Sequence, residues 1–351
     1  MTRPRRLLSL MLALWLLAAP ALADDDAPQS ELTPLYVTTV YLTPYNALPL
    51  TMHEEPSEDS PQTGFAYRSE EVFVYEMLPD YALVGNDTGM GYVRRRWLSE
   101  EAEVLDPRHT PPYGVILNRY VVTLAEDAPV YAEPSTDAEV LRIKPGAGSK
   151  IAVVEFVEGF AKVLYWRQYG YIHAAALAEI VPIWPTLDPP SADIPIAAYS
   201  TFFEHESTFA AVVGKRNNIV RSAELTDCIL ERGDTFDYSQ RVYPATKENG
   251  YMEAFSLRDG GEVMALGGGV CATSSTLYAM LLQLPGVTVL RRHEHGDFGV
   301  YYMPLHQDAA VSGSGRMNLV FRNDCEFPLR IETHTTGEGV LCVLAYRATD
   351  E

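Results

Sequence analysis

The sequence predicts a multidomain chain, two small all-β barrels followed by one α+β domain. Three observations carry this reading. Residues 71–98 align without a gap on residues 150–177, an offset of 79. Five prolines crowd residues 182–195. From residue 197 onward the pattern changes to helix-like spacing, a glycine run and a set of late strands.

The chain opens with MTRPRRLLSLMLALWLLAAPALADDDA, which has the three parts of a secretory signal. Arg3, Arg5 and Arg6 form a basic start, and residues 7–17 an apolar core too short to cross a bilayer. Ala21 and Ala23 flank Leu22 as a small-x-small cleavage site. A signal peptide is therefore expected over 1–23, with a secreted or extracytoplasmic envelope location and no membrane span after its removal. The net charge is −20 over 351 residues, and loss of those three arginines makes the remainder three units more negative. Such a surface repels nucleic acid and anionic lipid, so neither is expected as a partner. The acidic runs EEPSED and SEEAE read as solvated loops.

Within the repeat, Val74 meets Val153, Glu76 meets Glu155, Val84 meets Val163, and Gly91-Tyr92-Val93 meets Gly170-Tyr171-Ile172. Each copy reads as two short strands rich in aromatic and β-branched residues, a polar turn, and a Gly-aromatic-apolar strand. Upstream, LTMHEEPSED and VYAEPSTDAEV each put a proline-bearing turn after a strand. Antiparallel barrels are expected over 33–106 and 118–181. The proline-dense segment 182–196 reads as an extended, semi-rigid linker. An early strand running into a Pro-Ser turn, closed by a Gly-aromatic-Val/Ile strand, resembles bacterial SH3-type (SH3b) domains. That resemblance implies targeting to cell-wall peptides or glycans; the pattern alone also fits structural spacers.

The third domain, 197–347, predicts a helix over 214–227 and a turn at ERGDTF. A second helix follows the glycines, because Val270, Ser274, Leu277, Tyr278, Leu281 and Leu284 recur at three- and four-residue spacing. VTVL reads as a strand, RRHEHGDFGVYYMPLHQDAAV as extended chain, and the last stretch as two or three strands with a hairpin at TTGEG. The four cysteines, Cys228, Cys271, Cys325 and Cys342, are too few for a disulfide scaffold. With Cys271 kept free, the others form at most one bridge.

Cys271 stands where a helix starts, and the unpaired N–H groups there favour a thiolate. Gly267, Gly268 and Gly269 let the backbone approach a substrate, and their amides suit an oxyanion hole. A nucleophilic thiol needs a base and a group that orients it. His293 and His295 follow Cys271 by 22 and 24 residues, and Asp308 follows His295 by 13. Three readings fit. In the first, Cys271 attacks an amide, His295 shuttles the proton and Asp308 orients the imidazole. In the second, Cys271 is a packed small hydrophobe, the glycines serve helix–strand packing, and Asp308 caps a turn. In the third, His293 and His295 hold zinc with Cys271 or Asp308, although the spacing is not a short paired-ligand pattern. No cofactor and no metal is assigned. Arg216 is a binding candidate, for an acidic group of a peptide or for a partner inside the fold. His205 reads as a surface-turn residue, and Tyr301 and Tyr302 as one exposed and one core-facing strand residue.

GGGVCATSSTLY, RRHEH, YYMPLHQDAAV and LVFRNDCEFPLRIE, in that order, resemble the successive signatures of the VanW family. These are exported bacterial proteins named for a member encoded in a glycopeptide-resistance cluster. RNNI, GDTFDY and NGYMEAF fit its earlier blocks, and the resemblance spans about residues 197–347. It implies a cell-envelope location, a link to peptidoglycan, and His295 as the firmer histidine of the pair. Two positions depart from the family: Ala272 stands where glutamine usually follows the cysteine, and His306 and Gln307 where glycine and a basic residue usually precede the aspartate. The chain order Cys, His, Asp also resembles the triads of transglutaminase-like and papain-related cysteine enzymes. The function implied is an exported envelope protein that acts on or binds peptidoglycan peptides or glycans. One form is a cysteine-dependent amidase, peptidase or transpeptidase with SH3b-type targeting. The other is a non-catalytic wall-binding or accessory module linked to glycopeptide response.

Overall fold

Alternation of apolar and polar residues builds the first part of the chain into strands. The structure, a computed structural model, describes residues 34–41, 43, 48–78, 80–104, 115–258, 261–296 and 299–348. The signal expected at 1–23 lies outside the described residues. Strands β1 (Tyr36–Val40), β2 (Leu50–His53), β3 (Gln62–Ala66), β4 (Glu71–Met77), β5 (Tyr81–Asn86), β6 (Gly89–Arg94) and β7 (Leu98–Val104) form one antiparallel sheet, ordered β3-β2-β6-β5-β4-β1-β7. In β1, Tyr36, Thr38 and Val40 are buried while Val37 and Thr39 are half-exposed, the period-two signature of a strand with one face on a core. The run SEEAE, expected as a loop, lies in β7 at the sheet edge.

The second copy contains β8 (Tyr120–Leu124), β9 (Lys150–Val153), β10 (Glu155–Val157), β11 (Phe160–Tyr165), β12 (Gln168–His173) and β13 (Leu177–Pro182). Strands β5 and β6 recur as β11 and β12 at the offset of 79, and so do the 3-10 turns Arg95–Trp97 and Ala174–Ala176. In the first copy the β4–β5 register slips between Val74 and Glu76. The equivalent point in the second copy is Val154, where the strand breaks and its halves join different sheets, β13-β8-β9 and β10-β11-β12. A bulge bends a strand, and here the bend has become a division. Among the described residues no sheet closes on itself, so the expected barrels are instead bent open sheets, each over its own core.

The third part contains β14 (Ala197–Phe202), α1 (Ala210–Glu224), β15 (Cys228–Leu230), β16 (Thr235–Asp237), α2 (Tyr238–Val242), β17 (Glu253–Arg258), β18 (Gly261–Leu266), α3 (Val270–Leu281), β19 (Val287–Arg291), β20 (Val320–Asn323), β21 (Leu329–His334) and β22 (Val340–Arg347). The sheets run β14-β22-β21-β15, β16-β20-β19 and β17-β18. The α+β character holds, within a chain that is mostly β. The first helix begins four residues earlier than expected, and the described residues of 292–311 form turns and irregular chain instead of an extended run.

Every residue of β14 is buried, and so is β22 up to Tyr346. Strands covered on both faces read as continuous apolar runs, which is why AAYSTF and VLCVLAY lack alternation. On one face lies α3, where Thr276 Oγ1 donates to Thr201 Oγ1 (2.7 Å) and Gln283 Nε2 donates to the Ala198 carbonyl (2.9 Å). On the other face lies the β8–β9 layer. There the Ala152 amide donates to Ser200 Oγ (2.8 Å), and Val121, Ala152, Ala198, Cys342 and Leu344 share a small core.

The proline-rich segment differs from the expected extended spacer. It turns back on itself: the Trp184 amide donates to the Pro195 carbonyl, Ile183 to Arg119 and Ile196 to Ala345, each at 2.8 Å. Prolines remove donors without preventing closure, because the amides of Ile183, Trp184 and Ile196 supply them. The second repeat is thus packed onto the third part. A carboxylate placed in that shared core tests this. Ala198→Asp is expected to cost on the order of 3 kcal/mol or more through an uncompensated buried charge, read as a lower midpoint in chemical denaturation of the whole chain.

Candidate active site

The start of α3 is set by three glycines with different neighbours. Gly269 caps the helix at φ +107°, a left-handed conformation, and a Cβ there would lie 2.8 Å from Lys215 Cγ. At Gly268 a Cβ would lie 2.5 Å from the Phe255 carbonyl oxygen, inside the backbone of β17. Gly267 has φ +83° and faces Ala245. The close approach offered to a substrate is therefore taken by the protein's own chain, which corrects the ligand-binding reading of this run. Asn218, fully buried on α1, fastens the loop: its Nδ2 donates to the Gly268 and Met252 carbonyls, and its Oδ1 accepts from the Met252 amide, all at 2.9 Å.

Cys271 follows in the first turn of α3, half-buried, with Sγ 3.6 Å from the Val311 carbonyl oxygen. All four cysteines are free thiols, so the one bridge that the sequence allowed does not form. Burial raises the thiols of Cys228, Cys325 and Cys342 to about 11.

Asp308 has no exposed surface, yet it is held by more than packing. Its Oδ2 accepts from the His295 amide at 2.9 Å and faces His295 Nδ1 at 2.5 Å. Arg292 Nη2 lies 3.6 Å from Oδ1. The segment 308–310 is pinned to α3, since the Ala309 amide donates to Ser275 Oγ (3.0 Å) and Ser274 Oγ donates to the Ala309 carbonyl (2.7 Å). With Nδ1 committed to Asp308, the other ring nitrogen of His295 is available to a neighbour, and the nearby Cys271 thiol helps to raise the pKa of the ring. Cys271, His295 and Asp308 are thus brought together in the order proposed from the sequence.

Burial disfavours a charged His295, but the Asp308 carboxylate and the Cys271 thiol outweigh it and raise the pKa to about 9. Burial likewise opposes ionisation of Asp308, and the His295 contacts, with Arg292, hold its carboxyl below the usual range. Tyr302 packs against the same core, and burial first, then Cys271, Tyr301 and Asp308, push its phenol well above the ordinary value.

Other candidates fall elsewhere. His293 Nδ1 accepts from the Asn318 amide at 3.3 Å. Among the described residues, no three His, Cys, Asp or Glu side chains converge on a metal-sized site. Arg216 Nη1 donates to the His205 carbonyl (3.0 Å), a partner inside the fold. Ala272 is buried in the core. His306 has φ +62°, the left-handed region, which accounts for the glycine usual at that position. Sequence reasoning missed Lys215, Trp166, Arg167 and Arg292. Lys215 lay next to RNNI, Arg292 inside RRHEH, and Trp166 and Arg167 inside the repeat, but no local spacing marked any of them.

Residues 214–345 match the family described as VanW like protein, so a VanW-like domain occupies that part of the chain. The uncharacterized protein YoaR of Bacillus subtilis (strain 168) is 28% identical over 232 residues, covering 62% of this chain and 71% of that protein. Among solved structures, the endolysin LysPBC5 CBD covers 42% of this chain and 96% of its own at 12% identity, with a TM-score of 0.19. NlpC1 from Trichomonas vaginalis covers 92% and 95% at 13% identity, with a TM-score of 0.18. Scores this low do not define a common fold.

A raised histidine pKa makes stability depend on pH with a definite sign. Against an ordinary 6.5, a folded value of about 9 means that the stabilisation is whole below pH 6.5 and disappears as the pH rises through 9. Compared with His295→Gln in urea titrations, the wild type is expected to lose an advantage on the order of 3 kcal/mol between about pH 6 and about pH 10.

Proposed function

We propose that this is an exported cell-envelope protein whose VanW-like domain breaks or exchanges amide bonds in peptidoglycan peptides, with Cys271 as nucleophile. The observation that carries the reading is the His295 ring held between the buried Asp308 carboxylate and the Cys271 thiol at the start of a helix. In the step envisaged, a neutral His295 ring takes the Cys271 proton as Sγ bonds to the amide carbon, so the step gains as the pH rises toward about 9. The tetrahedral oxyanion forms at the positive end of α3, the C–N bond breaks, and His295 returns the proton to the leaving amine. The thioester then yields to water, giving hydrolysis, or to a second amine, giving transfer. Asp308 keeps the ring in the tautomer this needs.

The substrate class rests on the VanW match and on the secretory pattern of the first 23 residues. Peptidoglycan fragments digested with the wild type are expected to show new amide-cleaved or cross-linked masses, and Cys271→Ser none of them. Identical mass spectra from the two proteins would remove the nucleophile.

Wall binding by the SH3b-like repeats belongs to the same proposal, and an apolar row on the first repeat supports it. Phe73, Gly85 and Met90 are successive partners across β4, β5 and β6, with Phe73 and Met90 exposed on either side of the glycine. Phe65 and Tyr67, also exposed, pack edge to face at 5.7 Å. Exposed aromatic faces of this kind suit sugar rings or peptide side chains. The double variant Tyr67→Ser, Phe73→Ser is expected to reduce retention of the full chain on purified wall material about tenfold, a loss of about 1.4 kcal/mol. Unchanged retention would favour spacers.

A further inference from the structure

Beside the thiol stands a cation with no carboxylate to hold. Lys215 lies on α1 with its side chain against Gly269, two residues before Cys271. Its Nζ donates to the Tyr301 hydroxyl at 3.2 Å and sits 5.5 Å and 5.6 Å from the ring centroids of Tyr301 and Tyr302. Among the described residues it makes no ion pair, although the chain has 47 acidic residues against 27 lysines and arginines. Arg292, by contrast, is taken up by Glu294, Asp308 and the His306 carbonyl.

The far wall of this corner comes from the second repeat. Trp166 meets the Tyr301 ring edge to face at 5.1 Å, and its Nε1 donates to the Phe202 carbonyl at 2.9 Å. Arg167 binds the loop that carries both tyrosines, donating to the Met303 carbonyl (3.0 Å) and the Val300 carbonyl (3.1 Å). Tyr301 is 55% exposed, so the ammonium and the hydroxyl together face solvent.

We propose that Lys215 and Tyr301, backed by Trp166, form a carboxylate subsite next to Cys271, so that the preferred acyl donor is a peptide with a free carboxylate near the scissile amide. The ammonium has donors left after the Tyr301 bond, and the Tyr301 O–H is free to turn toward an anion. An anion held there is kept within the reach of the nucleophile by charge and by a two-point contact. The proposal rests on Cys271 being the reactive thiol, and it adds the class of substrate.

Two small alkylating reagents that differ in charge separate the two ideas. Iodoacetate and iodoacetamide each form a C–S bond with the cysteine sulfur and release iodide, and the thiol proton leaves to His295 or buffer. The rates at Cys271 are read on the full chain by mass spectrometry of its peptides. At low salt, Lys215→Met is expected to lower the iodoacetate-to-iodoacetamide rate ratio on the order of tenfold, with Lys215→Arg keeping the wild-type ratio. His295 is present in all three proteins, so its charge does not produce the difference. Lys215→Gln, neutral but polar, serves as a second test should the methionine variant fail to fold. An unchanged ratio in the neutral variants overturns the subsite and leaves the nucleophile standing. Failure of Cys271 to react with either reagent in the native wild type, while the same cysteine reacts once the chain is unfolded in urea, overturns the nucleophile and the subsite with it.

Discussion

A carboxylate with no exposed surface has to be met by donors, and Asp308 is where that requirement organises the site. Losing water around a charge costs several kcal/mol, and that cost is offset only by well-placed hydrogen bonds. His295 supplies two, one from its amide and one from its ring, so the backbone and the imidazole are fixed by the same oxygen. Arg292 adds its charge from the side and donates through Nε to the Asp308 carbonyl at 2.8 Å. Ser274 and Ser275 tie the following residue to α3, the helix that carries Cys271. Cys271, His295 and Asp308 are thereby referred to one another through a few short bonds, even though the described residues of 292–319 contain no helix or strand of their own.

That arrangement depends on layers well away from the thiol. The position of α3 is set by a sheet strand buried on both sides, and the second side is covered by the repeat region. Arg167 and Trp166, which belong to that repeat, hold the loop from Val300 to Met303. The second repeat therefore shapes one wall of the candidate site, whatever else it binds. The glycine run shows the same division of labour. Its left-handed turn and missing side chains let α1, β17 and α3 meet at contact distances that no Cβ would permit, and this packing aims the helix start at His295.

Much of this was legible in the sequence, and the parts that were not share a cause. The repeat was clear because equivalent residues face equivalent cores, down to the short turns at Arg95 and Ala174. Cys271, His295 and Asp308 were visible as residue types in a productive order. The double burial of β14 was hidden in plain apolar runs, which periodicity does not separate from other buried segments. The hairpin of β17 and β18 was missed because Phe255, Val263 and Met264 are exposed, reversing the usual cue. Lys215 and Trp166 were out of reach for another reason: they meet Tyr301 only through long-range packing, and no local spacing reports it. The proline segment misled because composition suggests stiffness but does not say where the flanking amides find acceptors.

His306 shows how a local departure is absorbed. A non-glycine residue at φ +62° costs roughly 1–2 kcal/mol relative to right-handed backbone. Its Nδ1 contacts Glu294 Oε2 at 3.0 Å, a partly exposed pair of the kind worth about 0–1 kcal/mol. That pair offsets only part of the cost, so the rest of the turn has to hold the histidine at its glycine-like position. The same Glu294 accepts from Arg292 at 2.5 Å, and Arg292 donates to the His306 carbonyl at 2.7 Å. Strain at the turn is thus taken up by the network that already steadies Asp308, and a substitution that looks disruptive in one dimension becomes a further brace in three.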